Sequence, residues 1–158
     1  MTSSSPTEHG LLLIETKATD VSQQSLTRLT DRRAKSLEKQ IKKVLTQLQG
    51  ALRRVKQPNV VQTSKGNLLL FEFWVYRKPI HLAVIVSEML PDLHDCADVW
   101  EDAIRAAERE DAAVHLLDIV EIQRLCSRSA TPATFFHHLT QRWLTAKAQQ
   151  NLVLRASG

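Results

Sequence analysis

The chain has 158 residues, 43% of them hydrophobic and 24% charged, with four glycines and five prolines. That is enough for one ordinary domain with its own core, and too apolar for a wholly disordered or collagen-like chain. The formal charge of +4 is unevenly placed: residues 1–56 carry eleven Lys and Arg against five Asp and Glu, and residues 57–158 carry ten against twelve.

Met1 to Gly10 is polar, with three consecutive serines and a proline. It reads as a flexible leader over residues 1–10 rather than a signal peptide. Leu11 to Ile14 is a short apolar run ending at Glu15, Thr16 and Lys17, the pattern of a buried strand with a polar far end. From about Leu26 the period becomes helical. Ala34, Leu37, Ile41, Val44, Leu45, Leu48, Ala51, Leu52 and Val55 make one apolar stripe, which predicts a helix over Ala34 to Val55. Its opposite face carries Arg32, Lys35, Lys39, Lys42, Lys43, Arg53 and Lys56.

Pro58 ends that helix, and Ser64 to Asn67 reads as a turn. Leu68 to Tyr76 and Ile80 to Val86 flank Arg77, Lys78 and Pro79, which predicts a β-hairpin. Pro91 to Asp98 reads as an acidic loop before a short helix from about Ala97 to Asp111, with Trp100, Ala103, Ile104 and Ala107 on its apolar side. Val114 to Val120 is a further strand candidate, continuing irregularly or as helix to Leu125. Thr131 followed by Pro132 is an N-cap with proline in the first turn of a last helix, whose apolar side is Phe135, Phe136, Leu139 and Trp143. The expected organisation is a single domain over residues 11–148 and a tail over 149–158. Strands alternating with helices predict an α/β fold, a mixed β-sheet flanked by helices.

Several clusters are better explained by ordinary structure than by chemistry. Asp92, His94, Asp95, Cys96 and Asp98 match no regular zinc spacing and read as a helix-capping loop. His137 and His138 are helix neighbours that cannot share a face. Trp74, Tyr76, Arg77 and Lys78 fit hairpin packing as well as they fit base stacking. Cys96 and Cys126 lie in no disulfide framework, and no apolar run reaches the ~20 residues that span a bilayer, so a cytoplasmic location is expected.

The motif with chemical content is Glu15-x-Lys17. Side chains on a strand alternate, so the two project from one face. A carboxylate there can ligate a divalent metal, while the ammonium orients water or offsets developing negative charge. Leu-Ile-Glu-Thr-Lys followed by a long helix resembles the core of the restriction-endonuclease-like PD-(D/E)XK nucleases, and the likeness in element order covers roughly Leu11 to Trp143. The resemblance implies a restriction-endonuclease-like fold and a metal-dependent deoxyribonuclease using Mg²⁺ or Mn²⁺. Glu15 would be the metal ligand, Lys17 the electrostatic group, and Gln40 or Gln47 a supporting contact.

Family members carry a helix and two strands before the motif, with a metal-binding aspartate on the second. Here ten mostly polar residues precede Leu11, Asp20 follows the motif, and Glu8 reaches it only if the leader folds back through Gly10. The expectation is therefore an N-terminally shortened nuclease-like domain that binds DNA through Arg32, Lys35, Lys39, Lys42 and Lys43. Its site would be completed by a homodimer mate or a partner protein. The alternative is a non-catalytic module for nucleic-acid or protein interaction on the same scaffold.

Overall fold

The protein was analysed as a computed structural model, which describes residues 2–7, 9–17, 30–56, 60–62, 68–70, 79–86 and 97–154. Among these, β1 (Thr2–Thr7), β2 (Gly10–Lys17), β5 (Ile80–Val86) and β6 (Ala113–Asp118) form one sheet in the order β1-β2-β5-β6. β2, β5 and β6 are mutually parallel, and β1 is antiparallel to β2. β3 (Val60–Gln62) and β4 (Leu68–Leu70) make a separate antiparallel pair. The helices are α1 (Thr30–Lys56), α2 (Ala97–Arg109), α3 (Ile119–Arg128) and α4 (Pro132–Gln149). The fold is α/β, with helices on both faces of a mixed sheet. No helix among the described residues is long and apolar enough to cross a membrane.

Alternation along the strands sorts the core into two layers. Leu11 and Leu13 of β2, Leu82 and Val84 of β5, and Val114 and Leu116 of β6 pack with Ile41, Val44, Leu48 and Leu52 of α1 and with Trp100 and Ile104 of α2. Leu12, Ala83 and Leu117 face Phe136 and Leu139 of α4. Two successive crossovers of one hand put α1 and α2 on the same side, as parallel strands require. The approach of α4 is close enough to need a glycine: a Cβ at Gly10 would lie 2.6 Å from Phe136 and 2.9 Å from the Pro79 carbonyl oxygen.

Four expectations are corrected. Thr2–Thr7, within the segment read as a loose leader, is an edge strand paired with β2 from Thr2↔Glu15 to Thr7↔Gly10. β5 is not the return arm of a hairpin with Leu68 to Tyr76. Leu68–Leu70 pairs with β3, while β5 lies between β2 and β6. Only Ile85 on β5 is more than marginally exposed, the signature of a strand buried on both faces.

The strand predicted through Val120 stops at Asp118, which is the N-cap of α3. Its carboxylate accepts from Glu121 N at 2.7 Å, and Glu121 accepts in return from Asp118 N at 3.2 Å. This reciprocal capping box starts a helix where a continuous apolar run suggested a strand. The tail also contributes to the core, since Leu152 and Val153 are buried in the α1 and α2 layer. Arg142 ties it down, donating through Nη2 to the Leu116 carbonyl at 2.7 Å and more loosely to that of Leu152 at 3.4 Å. Thr131 caps α4 as the sequence predicts, accepting from Thr134 N at 3.2 Å.

Leu48→Ala removes a buried side chain between α1 and the sheet, with an expected cost of ~2–5 kcal/mol, whereas exposed Leu144→Ala stays within ~0.5 kcal/mol. Gly10→Ala forces Phe136 or the Pro79 backbone to shift and should cost ~1–3 kcal/mol. Urea midpoints of the three variants measure these differences.

Candidate functional site

The three parallel strands bring their carboxyl ends to one edge of the sheet, the general location of ligand sites in open α/β sheets. Register fixes which residues meet there. Glu15 pairs with Val84, which pairs with Leu116; Lys17 pairs with Val86, which pairs with Asp118. Glu15 alternates in phase with Leu11 and Leu13, so it belongs to the sheet face covered by α1. Glu15 is half-buried. The side chain of Lys17 lies outside the described residues, as does that of Arg32.

The orientation of α1 follows from its last turn. Arg53 and Lys56 form ion pairs with Glu110 at 3.4 and 3.5 Å, and Glu110 lies three residues before the start of β6. The carboxyl end of α1 therefore sits at the amino edge of the sheet, and the helix runs antiparallel to β2. Its 27 residues span about 40 Å against about 26 Å for the eight of β2. With that direction, Gln40 lies nearer the carboxyl edge than Gln47. Gln40 is half-buried and Gln47 exposed. Of the two glutamines, Gln40 is the one the helix brings to the carboxyl edge.

Lys35, Lys39, Lys42 and Lys43 are exposed on the side of α1 away from the core. Lys42 bonds Glu38 at 2.7 Å, and that carboxylate raises the ammonium pKa above its usual value. The strand beside β2 supplies no acid: Thr2 stands opposite Glu15, and Thr2–Thr7 contains only Thr, Ser and Pro. Among the described residues no group of three or more His, Cys, Asp or Glu could hold a metal ion. Mg²⁺ takes one or two carboxylates together with phosphates and water, so the described residues alone do not make up a metal centre. Asp20, Glu8, the acidic group from Asp92 to Cys96, and Trp74 to Lys78 lie outside the described residues.

Asp118, at the same edge, is committed to structure. It caps α3 with Glu121, and Glu121 pairs with Arg142 at 3.1 Å. Burial raises the Glu121 pKa and lowers that of Arg142.

A second polar feature lies under α4. His81 of β5 and His115 of β6 are 1% and 2% exposed, with His81 Nδ1 2.9 Å from His115 Nε2 and the rings stacked. The remaining nitrogens, His81 Nε2 and His115 Nδ1, have no partner. One imidazole donates to the other, so in either tautomer pair one N–H and one lone pair are left over. Sequence reading passed over both residues, although a histidine inside each of two apolar strand runs was the available signal.

Comparison with protein-family models, curated proteins and solved structures finds no match for this chain.

The histidine pair makes stability depend on pH. Burial lowers the His81 pKa from 6.5 to about 4 and holds that of His115 well below its usual value. The unfolded chain therefore binds more protons below pH 6.5. Folding stability is complete well above that pH and falls as the medium acidifies towards the lowered pKa, by a few kcal/mol as an order of magnitude. Urea unfolding of wild type and of His81→Leu at pH 7.5 and pH 4.5 checks this, and the variant should lose markedly less over the interval.

Proposed function

We propose that the chain is a nuclease-like DNA-binding domain of restriction-endonuclease-like type, related to metal-dependent phosphodiester hydrolases. The observation that carries this reading is the position of Glu15-x-Lys17 at the carboxyl end of a parallel strand, with Glu15 on the face covered by a long helix whose outer side is cationic. In this reading Glu15 is the acidic ligand, Lys17 the electrostatic group, and Gln40 the nearer supporting residue. Lys35, Lys39, Lys42 and Lys43, with Arg32 on the same helix, neutralise phosphates. Mg²⁺ or Mn²⁺ at Glu15 would need further oxygens from substrate, water and a partner chain or protein.

No hydrolytic step is assigned to the described residues, because a single carboxylate fixes neither the affinity nor the geometry of the ion. That same shortage favours a second reading, a non-catalytic nucleic-acid or protein interaction module on this scaffold.

The reading is tested by fluorescence anisotropy on duplex DNA over a salt series. Binding should weaken with a log-log slope of ~0.9 per neutralised phosphate, and charge reversal at Lys39, Lys42 and Lys43 should flatten that slope. Weak retention of wild type and variant alike at every salt concentration overturns it.

The chain alone should show little or no cleavage of linear or single-stranded DNA in Mg²⁺ or Mn²⁺. Robust cleavage lost in both Glu15→Gln and Lys17→Ala would mean that a complete catalytic site is present. Thr2→Asp puts a second carboxylate at the position paired with Glu15 across β1 and β2. It should produce Mn²⁺ binding, measurable by calorimetry, that Glu15→Gln abolishes.

A further inference from the structure

Where α4 and the end of α2 meet the amino ends of β5 and β6 there is an open cleft of about 360 Å³, lined by His81, Glu108, Asp111, Thr140, Trp143 and Lys147 among others. We infer that this cleft binds a small primary ammonium compound, held between the Asp111 carboxylate and the unpartnered ring nitrogen of His81. The cleft lies at the opposite edge of the sheet from Glu15, so the inference stands apart from the nuclease-like reading.

The first argument is the orphaned nitrogen. His81 Nδ1 is spent on His115, which does not line the cleft, and the two nitrogens of an imidazole diverge, so the partnerless Nε2 is turned to the cleft side. Burial lowers the His81 pKa to about 4, which leaves the ring uncharged at neutral pH. In the tautomer in which His81 Nδ1–H donates to His115, Nε2 carries a free lone pair. A buried acceptor without a donor is costly, and a ligand that supplies the donor recovers that cost on binding.

The other polar groups of the cleft select a cation. Two carboxylates face one ammonium, and that ammonium is already engaged: Lys147 Nζ lies 3.4 Å from Glu108 and 5.6 Å from the centre of the Trp143 ring. Asp111 is exposed, and its carboxylate has no partner among the described residues. Thr140 Oγ1 donates to the Phe136 carbonyl at 2.9 Å and keeps its lone pairs as acceptors. What the cleft leaves unfilled is therefore a set of acceptors. An alkylammonium brings N–H donors and a positive charge to them, whereas an anion would meet carboxylates.

Asp111 is also an uncommon residue for its place. It stands in the left-handed region, at φ 50°, in the Schellman motif that ends α2, with Asp111 N donating to the Glu108 carbonyl at 3.0 Å and Ala112 N to that of Ala107 at 2.9 Å. Glycine is the residue this position favours, so the turn itself gives no reason for a carboxylate.

The experiment titrates the full chain, labelled with ¹⁵N-histidine, with butylammonium, tetramethylammonium and butanol at pH 7.5 and constant ionic strength. Wild type is compared with Asp111→Asn, since asparagine also accepts a positive φ and keeps the turn; thermal midpoints confirm the fold. The His81 signals are assigned by their loss in His81→Leu. Butylammonium should shift the His81 Nε2 resonance saturably, and Asp111→Asn should weaken its binding about tenfold, the loss of one charge-assisted hydrogen bond. Tetramethylammonium, which has no N–H, and butanol, which has no charge, should give no saturable shift. The site is overturned by the absence of a saturable shift with butylammonium, by an equal shift with tetramethylammonium, or by an affinity that Asp111→Asn leaves unchanged.

Discussion

Everything else in the fold is arranged around β5, a strand with neighbours on both edges and helices on both faces. Its seven residues are all buried apart from half-buried Ile85. A strand of that kind cannot take a hairpin partner on an outer edge, because its hydrogen-bonding groups are used by β2 on one side and β6 on the other. Both pairings are parallel, so each connection has to travel the length of the sheet. α1 and α2 are those connections, and their shared direction follows from it. The meeting of three carboxyl ends at one edge derives from the same constraint.

Two polar pairs show how differently this fold treats charge. Arg142 and Glu121, both half-buried, satisfy one another, and the arginine donates further to the carbonyls of Leu116 and Leu152. Glu121 also accepts from Asp118 N, so each partner has hydrogen bonds beyond the ion pair. His81 and His115 have only each other, and each keeps one nitrogen unpartnered. Their neutrality is enforced by burial, so the cost appears on acidification rather than at neutral pH. The first cluster fastens the last helix and the tail to the edge strand; the second leaves an acid-sensitive point between β5, β6 and Phe136.

Local signals in the sequence were sufficient for α1, whose apolar stripe repeats over six turns, and for the start of α4, where Thr131 and Pro132 state the cap directly. Glu15 and Lys17 were legible as a pair because strand alternation is also local. Non-local facts were not. Little in Thr-Ser-Ser-Ser-Pro-Thr announces a strand: only the two terminal threonines favour one, the segment has no apolar alternation, and it is paired through its ladder to β2. The identity of the residue opposite Glu15 depends on that ladder. The Asp118 and Glu121 capping box was present in the sequence but lay under an apolar run that strand periodicity explained equally well.

A cationic helix face and a metal centre differ in how much geometry they demand. Each Lys or Arg beside a phosphate contributes by releasing counterions, a term that adds up over contacts and tolerates shifts of several ångströms. A metal centre needs its oxygen ligands at fixed distances, within ~0.2 Å, and fails when one is missing. On the proposed reading, the exposed lysines of α1 would hold DNA whether or not the edge of the sheet holds a metal, whereas cleavage would depend on what stands opposite Glu15.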